Sequence, residues 1–141
     1  MSGNASSATF TIDAATLACH QAYVQGERNA LREGSAIAYD ADRLGAVAEP
    51  MLFYGPYIAL EPGVYLVSFR GRVVGDLFVD FAHDHGRVFK AVTLPDFEQP
   101  ICLVVTRRLE NFEVRGSRTP LLKTLQLEAI AMECVYAEPA G

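Results

Sequence analysis

Tyr54, Tyr57 and Tyr65 place three aromatic rings close together, and Arg70, Glu113 and Arg115 add guanidinium and carboxylate groups downstream. Rings of this kind stack on the C–H faces of pyranoses, while carboxylates and guanidinium forks bind hydroxyls in pairs. The combination points to a saccharide. Tyrosine is amphipathic, however, and fills cores with its hydroxyl satisfied. The chain also has no Trp, the strongest stacking ring. Structural roles therefore outweigh ligand contact for the tyrosines. Glu113 and Arg115 stand two apart, so on a strand they share a face, where charges of a neighbouring strand can pair with them.

His83-Asp84-His85 is the most metal-like cluster. On a continuing strand the two imidazoles would project the same way and could hold a cation with a third ligand such as Asp80 or His20. The chain has only three histidines, and these two precede Gly86, so a solvated turn is the better reading and no metal is expected. Cys19 and His20 are adjacent and would point apart on a strand, the wrong arrangement for a thiolate–imidazole pair. Ser68 has no local base and no Gly-x-Ser-x-Gly elbow. Asp76, Asp80 and Glu113 could pair as hydrolytic carboxylates, but their separation is a tertiary matter. No phosphate-cradling glycine loop occurs. The residues spell out no catalytic constellation, so a protein without enzymatic activity or cofactor is expected.

The elements that must position these groups are strands. A chain of 141 residues, half of them hydrophobic, fits one domain with a real core. We expect a tail over 1–8, a single domain over 9–136 and a second tail over 137–141. Turn residues recur about every ten positions, as in all-β domains. Thr9–Asp13, Leu17–Val24, Ser35–Tyr39, Pro50–Tyr54 and Tyr57–Leu60 read as strands, with loops at Gln25–Gly34 and Asp40–Glu49. A short helix over Glu27–Arg32 lacks an apolar face. In Glu61-Pro62-Gly63, Pro62 sets φ for the first turn position and Gly63 is available for a positive φ at the next. Val64 to Phe69 then alternates with period two.

Gly71–Gly75 reads as a turn, Asp76–Ala82 and Val88–Leu94 as a hairpin around the His83–Gly86 tip, and Pro95–Pro100 as a loop. Ile101–Thr106 and Leu109–Arg115 follow as strands. Leu121–Tyr136 fits a helix or a strand. The strand is favoured, with its phase slipping once near Ala129 through a β-bulge. Nine or ten antiparallel strands predict an all-β sandwich of jelly-roll type.

Twelve basic against seventeen acidic residues give a net charge of −5, which argues against a nucleic-acid partner. The basic spots Arg107-Arg108 and Arg115–Arg118 have Glu110 and Glu113 nearby. Met1–Ala8 lacks the basic and apolar regions of a secretory signal, and no run approaches the ~18 apolar residues that span a bilayer. Cys19, Cys102 and Cys134 lie far apart in apolar contexts without ligand spacing, so three buried thiols in a reducing cytoplasm are expected.

Around Tyr54-Gly-Pro-Tyr57, Leu60 and Pro62-Gly63-Val-Tyr65, the chain resembles a β-sandwich domain that accompanies bacterial glycosyltransferases in exopolysaccharide and cell-envelope synthesis. The resemblance extends from about Leu17 to Val135 and includes Arg32-Glu33-Gly34-Ser35, Leu44-Gly45 and Phe112-Glu113-Val114-Arg115. It implies a noncatalytic module that recognises or organises carbohydrate beside a sugar-transferring enzyme. Tyr54, Tyr57, Arg70, Glu113 and Arg115 are the candidate ligand contacts. Two alternatives remain open. One is an assembly protein offering an edge strand or apolar face to a partner or to its own copies. The other is a cupin-like metalloenzyme using His83 and His85.

Overall fold

Period-two burial runs through the segments 63–69, 77–81 and 101–105, and it helps build two sheets that share one core. The computed structural model describes residues 9–137. In chain order the strands are β1 (Phe10–Asp13), β2 (Ala18–Cys19), β3 (Val24–Gln25), β4 (Arg28–Asn29), β5 (Arg32–Glu33), β6 (Ala36–Asp40) and β7 (Met51–Tyr54). They continue as β8 (Pro56–Leu60), β9 (Gly63–Val74), β10 (Leu77–His83), β11 (Arg87–Leu94), β12 (Ile101–Val105), β13 (Leu109–Arg118) and β14 (Thr124–Ala137). One short helix, α1 (Ala41–Leu44), follows β6 and is capped by the Asp40 carboxylate.

The first sheet has the order β12-β9-β14-β6-β5, and β1 pairs with β14 beyond the end of β6. The second has the order β11-β10-β13-β7-β2, with β8 on the same edge of β13 as β7. Four positions of each sheet, β6-β14-β9-β12 against β7/β8-β13-β10-β11, are linked by a chain that crosses between sheets after β6, β8, β9, β11, β12 and β13. That is jelly-roll connectivity. Tyr65, Val67, Ile130 and Met132 from the first sheet meet Phe53, Val79, Phe81, Phe112 and Val114 from the second in a single cluster, all at 1% exposure or less.

Among the described residues there are fourteen strands rather than nine or ten, because several expected segments are subdivided. Leu17–Val24 is not one strand. The His20 Nδ1 accepts from the Ala22 amide, and a 3-10 turn over Gln21–Tyr23 drives Tyr23 into the core. Gln25–Gly34 holds a tight two-residue hairpin, β3–β4, and then β5, not an open loop.

Gly71 does not begin a turn, since β9 continues to Val74 and only Gly75-Asp76 leads into β10. Gly63 is no turn residue either. It starts β9 in nearly extended form, and a Cβ there would stand 2.6 Å from the Tyr136 carbonyl oxygen. Leu121–Tyr136 does contain a long strand. Its register slips between Leu127 and Ala129, so Leu125 and Leu127 and then Ile130, Met132 and Cys134 all reach the core. The expected tail at 1–8 and residues 138–141 of the second tail lie outside the described residues, whereas Ala137 pairs with Gly63.

Burial of all three thiols is also corrected. Cys134 is buried, Cys19 half-buried and Cys102 exposed, because β12 turns Ile101, Leu103 and Val105 inward and Cys102 and Val104 outward.

Gly116 shows how tightly the layers meet. Its missing Cβ would overlap the ring of Phe53, which is fully buried and has no room to move. Gly116→Ala is therefore expected to lower stability by about 1–3 kcal/mol. Urea unfolding checks this as a lower midpoint at unchanged slope.

Candidate functional site

Phe112 and Val114 point into the core, so Glu113 and Arg115 face outward from β13. On the neighbouring strand β10, Asp80 stands opposite Arg115 and Ala82 opposite Glu113. The Arg115 guanidinium donates from Nε and Nη2 to the two Asp80 oxygens, at 2.7 and 3.2 Å. That fork is largely shielded, with the two side chains 20% and 13% exposed. Hydrogen bonding to Asp80 is the main influence holding Arg115 in its charged form. The third nitrogen, Nη1, lies 4.0 Å from Glu113 Oε1.

Across the other edge of β13, the chain bends between β7 and β8. Gly55 and Tyr57 both have positive φ, the Gly55–Pro56 peptide is cis, and the Val114 amide donates to the Gly55 carbonyl at 2.8 Å. A positive φ is uncommon outside glycine and recurs at binding sites. The bend leaves Tyr57 half-exposed beside Tyr54, with ring centroids 6.3 Å apart and planes at 68°. Burial raises the Tyr57 pKa first, and the adjacent Glu113 carboxylate, through charge and hydrogen bonding, raises it further.

The third wall comes from β2, paired with β7 through Ala18↔Tyr54 and Cys19↔Phe53. It delivers His20, whose Nδ1 accepts from the Ala22 amide, leaving Nε2 3.6 Å from Glu49 Oε1. Asn29 braces this wall by donating to the His20 carbonyl at 2.9 Å, and the Tyr23 hydroxyl donates to the Glu49 carbonyl. His20, Met51, Tyr54, Tyr57, Glu113 and Arg115 line one shallow depression.

Four of the five proposed contacts thus converge. Arg70 does not: it lies in β9 on the first sheet, opposite Ala129. Tyr65 is a core residue, 1% exposed, whose hydroxyl donates to the Glu61 carbonyl at 2.7 Å. Its pKa is pushed up to about 12, mainly by burial. The expected solvated turn at His83–His85 is only half right. Asp84 and His85 turn with positive φ and His85 is exposed, but β10 carries His83 inward, 8% exposed, against Phe89. His83 Nδ1 sits 2.9 Å from Asp84 Oδ2. Among the described residues no group of three or more His, Cys, Asp or Glu is placed to hold a metal ion.

Sequence reasoning missed the paired roles of His20 with Glu49 and of Asp80 with Arg115. No spacing signals them, because both pairings depend on cross-strand register. In comparisons with known proteins, no family model, curated protein or solved structure matches the chain.

The Tyr57 phenol provides a direct readout of this geometry. Glu113→Gln is expected to lower the Tyr57 pKa while leaving it above the ordinary value through burial, read from the ring-carbon NMR shift against pH. Because the folded-state pKa is raised, the stabilisation it contributes is complete below the ordinary tyrosine pKa. It is lost as pH climbs through the raised value.

Proposed function

We propose that the chain is a noncatalytic saccharide-binding module, working beside a glycosyltransferase in bacterial polysaccharide synthesis. The single observation carrying this reading is the convergence of Tyr54, Tyr57, Glu113 and Arg115 on one open depression. Two rings at a steep angle offer an apolar face and an edge to a pyranose, and the carboxylate and guanidinium offer hydrogen bonds to its hydroxyls. The free thiols fit action in the reducing cytoplasm. Among the described residues, no helix is long and apolar enough to cross a membrane.

Tyr57→Ala removes a half-exposed ring and is expected to weaken saccharide binding about tenfold, with a lower unfolding midpoint because the phenol beside buried Glu113 is lost. Calorimetry or ligand-observed NMR over a panel of neutral, amino and acidic sugars measures it. A wild-type chain that binds no member of the panel rules the reading out.

Self-association is a second reading, favoured by the edge of the first sheet. β11, the edge of the second sheet, carries Arg87 and Lys90, charges that discourage pairing, whereas β12 is Ile-Cys-Leu-Val-Val with none. On this reading the wild type is a dimer by light scattering. Val104→Lys, at a side chain 58% exposed, makes it a monomer without loss of fold. A monomeric wild type at high concentration ends this reading.

A further inference from the structure

We propose that the depression on the outer face of the second sheet selects a sugar bearing a protonated amine. The inference rests on the saccharide reading and names the substituent taken. It follows from counting which charges are already spent. Arg115 is the one guanidinium lining the depression, and two of its nitrogens are committed to Asp80. Its remaining nitrogen is 4.0 Å from Glu113, beyond hydrogen-bond distance. Glu49 lies behind His20, outside the lining, and accepts from the Met51 amide. Among the described residues Glu113 is thus the one carboxylate lining the depression, and the guanidinium beside it is committed first to Asp80.

Glu113 is the group that requires a partner. Its side chain is 5% exposed, it lines the depression, and its polar neighbours among the described residues are the Tyr57 phenol and the distant Arg115 nitrogen. A buried carboxylate whose nearest cation stands 4.0 Å away and donates no hydrogen bond to it has acceptor capacity left, and an ammonium donating there would form a charge-assisted hydrogen bond. The Tyr54 and Tyr57 rings beside it add the negative faces that attract cations. A sugar acid would meet repulsion from Glu113. A neutral sugar would leave Glu113 with hydroxyl donors only.

The test is amide NMR titration of the full chain with D-glucosamine, D-glucose and D-glucuronate at about pH 7, where an amine is largely protonated. Glucosamine is expected to shift the Tyr57, Glu113 and Arg115 resonances at about tenfold lower concentration than glucose, equivalent to ~1.4 kcal/mol, with glucuronate weakest. Glu113→Gln is expected to weaken glucosamine binding more than glucose binding, so that the preference disappears. The wild-type ranking decides the matter even if that variant fails to fold. Equal binding of glucosamine and glucose, or tightest binding of glucuronate, overturns the amine inference and leaves the saccharide reading standing. No shift with any of the three sugars overturns both.

Discussion

The pairing of β9 with β14 is the seam on which the sandwich depends. It runs without a break in contact from Val74↔Thr124 to Gly63↔Ala137. β14 has 14 residues against 12 in β9, and two register shifts, at Glu128 and at Val135, absorb the difference. Gly71 sits opposite the first of these. Its φ of 134° is closed to other residues, and a Cβ there would collide with the Gln126 carbonyl. The glycine and the bulge are two halves of one adjustment. Without them the inward phase of Leu125 and Leu127 could not pass to that of Ile130, Met132 and Cys134. The free edge of β14 then accepts both β6 and β1, so the other four strands of the first sheet take their places from this pairing directly or through one neighbour.

The second sheet repeats the device on β13, and there it generates the candidate site. One edge of β13 pairs with β10, setting Asp80 against Arg115. The other is shared by β7 and β8, and the bend between them is held by the Val114–Gly55 hydrogen bond. That bend brings Tyr54 and Tyr57 over the face already carrying Glu113. The inward side of the same strand is close-packed, with Phe53 against Gly116 and Phe81 stacked on Phe112 at 6.3 Å. A rigid inner face makes the outer one a fixed platform, which suits recognition of a ligand by position.

The ion pairs differ in weight. Arg108 bridges Glu61 and Glu110, but all three side chains are more than half exposed, and such pairs contribute about 0–1 kcal/mol. Arg115 and Asp80 are shielded and bidentate, so their pairing fixes a geometry as well as a charge balance. This commitment leaves Glu113 outside the fork, 4.0 Å from the guanidinium.

Local alternation was sufficient to show a β-sandwich, to place the hairpin between β10 and β11 and to locate the slip near Ala129, because side-chain phase along a strand is a one-dimensional property. It also showed that Glu113 and Arg115 share a face. The two-residue strands, the turn at Gln21–Tyr23 and the passage of β9 through Gly71 were not legible, since each depends on a partner strand or a side-chain cap far along the chain. The same holds for the site. Residue types nominated Tyr54, Tyr57, Arg70, Glu113 and Arg115 together, yet sheet assignment alone separated Arg70 from the rest and brought in His20. Sequence determined which side chains could bind. Tertiary structure decided which of them meet, because hydrogen-bond register between distant strands is set by the packing of the whole sandwich.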